Sequence, residues 1–173
     1  MITSLIDVAR PSDPDAIDRL ADTLAALIPG VAAGLIGDAV IMSAQMTAAL
    51  ATIADGSGAT LVPRPDGPPC WSVAAAAARR EWVLCLAAGD VPRDGWIRIL
   101  DRFTATARPE VALARLRRRH ETLASTIAAH GERLVGAGRA RAGDLVRRDK
   151  LMREPAFAPR LRPHRLPVWL ERA

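Results

Sequence analysis

Residues 81–90, EWVLCLAAGD, and the run that follows them, residues 91–100, VPRDGWIRIL, decide the fold. The segment WVLCL is continuously apolar and is bounded by Glu81 on one side and Gly89-Asp90 on the other. A short apolar run between turn signals reads as a strand buried on both faces. The residues after Gly95, from Trp96 to Phe103, read as the start of a helix. In open α/β sheets ligands sit at the carboxyl ends of the strands. The Ala87–Asp90 end is therefore the first place to look for chemistry.

The same alternation extends toward the N-terminus. Residues 2–9, ITSLIDVA, read as a strand, and PSDPDAIDRLADTLAALIPG as a helix that follows it. Ser12 or Asp13 is placed to cap that helix, Pro14 suits its first turn, and Asp15 and Asp18 favour its positive end. Ile17, Leu20, Leu24 and Leu27 recur at helical spacing, and Pro29-Gly30 predicts the stop. Residues 39–42 predict a second strand, 47–54 a second helix ended by DGSG, and 59–63 a third strand. CWSVAAAAARR predicts the helix that leads into WVLCL. Near-continuous apolar strands joined by helices imply a mostly parallel sheet with helices on both faces.

Composition bounds the rest. The chain has 173 residues, enough for one domain with a full core. Half the residues are hydrophobic but only 3% are aromatic, so Ala, Leu and Val must fill the interior. Charge is divided unevenly. Residues 1–90 carry 5 basic and 10 acidic side chains, and residues 91–173 carry 19 and 9, giving −5 and +10 within a formal net charge of +5. A basic C-terminal half suits phosphates, anionic lipid or an acidic partner. Two cysteines, Cys70 and Cys85, make no disulfide framework, and a reducing compartment is the default. No signal-peptide pattern or spanning apolar run is present in the sequence.

The C-terminal half is less regular. EVALARLRR fits a strand or a helix, and as a strand it would add antiparallel to the sheet. VGAGRARAGD is Gly-rich but lacks the strand–GxGxxG–helix setting of a dinucleotide site. LVRRDKLM resumes order. The segment EPAFAPRLRPHRLPVWLERA predicts an extended tail pinned by Phe157 and Trp169. His120, His130 and His164 have no metal-ligand spacing. LARLRRRH lacks interleaved aromatics, so nucleic acid is disfavoured as a partner.

These segments together resemble the family 2 glycosyltransferases with the nucleotide-sugar-binding GT-A fold, especially their small bacterial branch. The resemblance runs from Ile2 to about Met152. It rests on TLAALIPGVAAGLIGDAVIMSAQMTAALATIADGSGATLV, on AAAAARREWVLCLAAGDVPRDGWIRIL, and on AGDLVRRDKLM, in that order. The departures from the family pattern are at its working positions. The family places a base-contacting aspartate after its second strand, in a pattern like VVDGGSTD; here the stretch is IMSAQMTA, which puts Ser43 at the aspartate, Ala48 at a second acidic position, and Ala44 and Gln45 at the glycines. The family's metal-binding Asp-x-Asp or His-Ala-Asp is here Ala87-Ala88-Gly89, with Asp90 one residue late. The family's later Glu-Asp pair, which supplies the catalytic base, has no counterpart in REPAFAPRLRPHRLP. Aspartates at 43, 87 and 89 would restore the lost carboxylates.

The expectations are accordingly specific. The fold is α/β of the GT-A type, shortened at its C-terminus, with a domain over residues 1–152 and a Pro/Arg-rich tail over 153–173. The preferred function is a glycosyltransferase-like protein that has lost metal-dependent transfer and acts as a binding or partner subunit, rather than an enzyme. Two alternatives stay open: an active nucleotide-sugar-dependent transferase with an atypical site, and a basic module that binds anionic membrane or nucleic acid through residues 91–173. No catalytic or metal-ligating residue is expected. Ser43 and Asp90 take the nucleotide positions, and Arg147 and Arg148 take an acceptor or phosphate position. No cofactor is expected, with Mn or Mg entering only under the enzyme alternative. The partners that fit are a protein, a nucleotide sugar or the surface of an anionic membrane. The setting is the bacterial cytoplasm, extending to the inner face of the membrane.

Overall fold

The computed structural model describes residues 1–65, 67, 70–118, 135–153, 157 and 159–173. His120, His130 and Glu154, with the right half of the long segment after Arg118, lie outside the described residues. In chain order the elements are β1 (Ile2–Val8), α1 (Ala16–Ala32), β2 (Ile36–Ser43), α2 (Ala48–Ser57), β3 (Thr60–Pro63), α3 (Trp71–Ala77), β4 (Trp82–Ala87) and β5 (Asp90–Pro92). They continue with α4 (Trp96–Thr106), β6 (Leu113–Arg118), β7 (Asp144–Arg147), α5 (Arg148–Leu151) and β8 (His164–Arg172).

All eight strands form one sheet in the order β3-β2-β1-β4-β7-β6-β8-β5. The first four neighbours are parallel, as the βα alternation requires. β7 then runs antiparallel to both β4 and β6. EVALARLRR resolves as the strand β6, which pairs antiparallel with β7 but points the same way as β4, so the antiparallel strand expected there is β7 instead. Side chains alternate across β1. Ile2, Ile6 and Val8 pack with α1, α2 and α4, whereas Leu5 packs with Trp71, Ala74 and Ala75 of α3 and Leu151 of α5. Both faces of the sheet are therefore covered by helices.

Three local expectations are corrected. α1 does not stop at Pro29-Gly30 but runs through it to Ala32. Pro29 removes the bond to the Ala25 carbonyl and crowds it, but only three helical residues follow, and the Ala33 N–H closes the turn on the Pro29 carbonyl at 3.0 Å. Gly30 lets α1 approach α4, since a Cβ there would lie 2.4 Å from the Trp96 ring. The cap position of α1 is Asp15, without a side-chain bond, while Asp13 accepts from the Asp15 N–H instead. α2 runs past the DGS of DGSG, from a Thr47 cap to a left-handed Gly58.

The C-terminal segment is the fourth correction. It is extended, but residues 164–172 are an inner strand of the same sheet rather than a separate tail. Leu166, Val168 and Leu170 alternate into the core with a period of two. Pro167 lies where the β6–β8 register shifts, the place where a strand tolerates a missing N–H. Phe157 is buried as expected, but Trp169 is 45% exposed and does not pin the strand. Among the described residues no helix is long and apolar enough to cross a membrane.

Candidate functional site

Register brings the carboxyl ends of the parallel strands into line. Val8 lies beside Ser43, Ser43 beside Pro63, and Asp7 beside Ala87. A cavity of about 310 Å³ opens at this edge, bounded by Asp7, Arg10, Asp13, Arg19, Ala87 and Arg172 among others. Arg172 reaches it because β8 pairs with β5, opposite Asp90.

Ala87–Asp90 forms a tight turn between β4 and β5. The Ala88 N–H donates to the Asp7 carbonyl at 3.0 Å. The Gly89 N–H donates to the Arg19 carbonyl at 2.9 Å and to Thr23 Oγ1 at 2.8 Å. Gly89 holds φ at +94°, which side chains on an L-residue rarely tolerate. A Cβ on Gly89 would also lie 3.3 Å from Arg19 Cδ. An aspartate at 89, meant to rebuild a ligand pair, would therefore carry a backbone cost, because the turn favours glycine at this φ.

Asp90 is 1% exposed and points inward. Its Oδ2 accepts from the Ala87 N–H at 2.8 Å and from Arg118 Nη2 at 2.5 Å. Ser43 is equally enclosed, with its hydroxyl donating to the Gln45 carbonyl at 2.9 Å and accepting from the Gln45 N–H at 3.3 Å. Both residues thus lie at the expected end of the sheet, with side chains engaged in local turns. Asp7, near the end of the strand ITSLIDV, borders the cavity together with Asp13. Burial pushes the Asp7 carboxyl above the ordinary carboxylate value, and the nearby Arg64 charge, with Nε at 2.9 Å, opposes that. Asp13, at the mouth, is lowered by its hydrogen bond from Arg19, 2.6 Å away.

Arg147 and Arg148 lie elsewhere. Arg147 pairs with Trp82 at the amino end of β4, the far end of the strand from Ala87. At about 3.3 Å per residue the two ends are separated by about 16 Å. Arg147 sits 4.7 Å above the Trp82 ring, donates to the Val111 carbonyl at 3.2 Å and pairs with Glu81. Arg148 donates to the carbonyls of Ala75 and Ala76 at 2.9 and 3.3 Å. They border a second cleft of about 590 Å³ with Arg79, Arg80 and Lys150. The structure does not bring this cleft together with Ser43 and Asp90.

No protein-family model matches the sequence, and no curated protein matches it. Solved structures do. Glucosyl-3-phosphoglycerate synthase from Mycobacterium tuberculosis, in complex with Mn2+, uridine diphosphate and glucosyl-3-phosphoglycerate, is similar with a TM-score of 0.58 at 14% identity, over 86% of this chain and 57% of that one. The same synthase with Mn2+ and uridine-diphosphate-glucose gives 0.62 at 14% identity, over 100% and 70%. Mannosyl-3-phosphoglycerate synthase from Rubrobacter xylanophilus gives 0.59 at 13% identity, over 86% and 53%. The fold is the GT-A glycosyltransferase fold. This chain spans little more than half the length of the first of these relatives.

The relatives' Mn2+ poses a test for this GT-A chain. Mg2+ and Mn2+ favour oxygen donors, usually carboxylates. At the end of β4, Ala87, Ala88 and Gly89 carry no side-chain oxygen, and Asp90 Oδ2 is held by a backbone N–H and a guanidinium while Oδ1 has no hydrogen-bond partner among the described residues. Among the described residues no group of three His, Cys, Asp or Glu side chains is placed to hold a metal. The described side chains at this turn thus offer a cation one carboxylate, Asp90, whose Oδ2 is already bonded to the Ala87 N–H. The sequence reading missed Arg64, Arg172 and Arg118 as partners of this edge. Arg172 and Arg118 arrive on β8 and β6, and only the period-two apolar pattern of residues 166–170 signalled that β8 was a strand.

Proposed function

We propose that this chain is a GT-A domain that has lost metal-dependent glycosyl transfer and serves as a binding or partner subunit. The observation that supports this best is Asp90. It is the carboxylate that follows β4 in the chain, and it is turned inward to close the Ala87–Asp90 turn and to hold Arg118, while the neighbouring Asp7 is paired with Arg64. Transfer from a nucleotide sugar needs the diphosphate leaving group neutralised, by a cation or by equivalent fixed charge. It also needs a base for the acceptor's proton. With alanines at 87 and 88, the first requirement falls to side chains alone.

A second reading draws on one specific feature. Arg10, Arg19 and Arg172 border the cavity. Guanidinium groups can hold a diphosphate bidentately. That arrangement supports an atypical transferase working without a divalent ion. Nucleotide sugars of several bases and sugars, incubated with the purified chain and candidate acceptors, with and without Mn2+, separate the two readings. The degenerate reading expects intact donor in every mixture. Mn2+-independent release of nucleoside diphosphate that an Arg172→Ala variant loses would replace it with the second.

A further inference from the structure

A different basic pocket lies on the β6–β8 half of the sheet. Five arginines, Arg115, Arg117, Arg118, Arg141 and Arg165, together with Trp169, line a concavity of about 310 Å³. The strands assemble it by register. In the parallel β6–β8 pair, Arg115 lies opposite Arg165 and Arg117 opposite Trp169. Like charges directly opposite each other on neighbouring strands destabilise a sheet. Only part of this charge is answered from within. Asp144 holds Arg115 through two bonds of 2.7 and 3.0 Å, and Asp90 holds Arg118 at 2.5 Å. Among the described residues that line the pocket, Arg117 and Arg165 are the guanidinium groups left without a described carboxylate.

The two outermost groups are presented for contact. Among the described residues Arg165 has no carboxylate partner, and Arg117 stacks 5.5 Å above the Trp169 ring. Stacking holds a guanidinium plane in place while leaving its N–H edge to donate. Trp169 is 45% exposed, whereas Trp71, Trp82 and Trp96 are buried. An exposed indole capped by one arginine and flanked by others has no role in the core.

We propose that this pocket is a binding site for a phosphate group, held by Arg117 and Arg165 beside Trp169. Arginine forks match phosphate oxygens bidentately, and the small volume suits a compact head rather than a long polymer. The phosphate can belong to a soluble phosphorylated compound or to a lipid head group. The site is lined by residues other than those of the β1–β4 cavity except through the shared strand β8, and it does not depend on the reading given for that cavity.

Trp169 supplies the readout, because the other tryptophans are shielded from quencher. Inorganic pyrophosphate is titrated into the chain while acrylamide quenching is followed. The expected result is saturable protection of Trp169. In the Arg117→Ala/Arg165→Ala variant the apparent affinity should fall about tenfold or more, the equivalent of one lost charge-assisted contact. Both residues are exposed, so the variant should keep the parent's circular dichroism and unfolding midpoint. The Arg117→Lys/Arg165→Lys variant keeps the charge without the fork and should fall between. Vesicles of phosphatidylcholine with and without phosphatidylglycerol identify the source. Protection by the anionic vesicles, reversed by pyrophosphate, assigns the phosphate to lipid; protection by pyrophosphate alone assigns it to a soluble compound. No protection by either probe, or protection that the alanine variant retains in full, overturns the proposal.

Discussion

Replacing Arg118 by Met isolates the contact that takes Asp90 away from the cleft. Asp90 Oδ2 holds the Ala87 N–H and Arg118, and Oδ1 has no hydrogen-bond partner among the described residues. Removing the guanidinium leaves a buried carboxylate supported by one N–H. Breaking a fully buried pair costs roughly 3–5 kcal/mol. Arg118 is 29% exposed at its side chain, so water can replace part of what is lost. The expected cost is therefore about 2 kcal/mol. With a urea m-value of about 2 kcal/mol/M, the midpoint should drop by about 1 M. Asn at 90 keeps an oxygen for the Ala87 N–H but carries no charge. Arg118→Met/Asp90→Asn should then recover at least about 1 kcal/mol relative to the sum of the single variants. Urea unfolding followed by circular dichroism, on all four members of the cycle, measures this. A midpoint for Arg118→Met within about 0.2 M of the parent, with additive singles, would refute the reasoning that Asp90 is held inward by Arg118.

Two further outcomes follow from the same edge of the sheet. The Asp7 carboxyl is raised by burial, with the Arg64 charge opposing. The native chain therefore holds a proton that the unfolded chain has released, and stability declines as pH rises from about 4 through the raised value. Asp7→Asn should remove that decline and be at least as stable as the parent at neutral pH; a variant less stable at neutral pH, beside a parent that gains stability on the same climb, would reverse the sign. Gly89→Asp should destabilise by about 1–2 kcal/mol, because φ is +94° there, while Ala87→Asp, at a half-buried position facing the cavity, should cost less. Equal thermal midpoints for the two variants would show that the turn carries no such strain.

The N-terminal half was legible because its signals are local. Apolar strands such as ITSLIDV and WVLCL, bounded by turns and separated by helical spacing, leave few alternatives to a parallel sheet. The end of α1 lies beyond Pro29 because the proline affects the turn before it, while residues 30–32 keep their own helical conformation for less than one further turn. β8 was hidden by composition. The prolines at 155, 159, 163 and 167 and the interspersed arginines look like a tail, and they mask the Leu166–Val168–Leu170 alternation. At the site, sequence position found Ser43 and Asp90 at the right edge of the sheet but not the direction of their side chains. Arg147 and Arg148, given an acceptor or phosphate position, lie away from that edge for a topological reason. β7 runs antiparallel to β4, so its last residues return to the amino end. Arg118 and Arg172 could not be paired with the β4–β5 turn without knowing that β6, β8 and β5 are neighbours.

The most direct test of the central claim is a Mn2+ titration followed by electron paramagnetic resonance, where free Mn2+ is read from its six-line signal. Uridine diphosphate is present throughout, and matched samples contain or lack the chain. With alanines at 87 and 88 and Asp90 bonded to Arg118, the free-Mn2+ signal should be the same in both series. Loss of that signal in proportion to added chain, with an affinity tighter than millimolar and abolished by Asp90→Asn, would contradict the claim and return Asp90 to the role of a metal ligand.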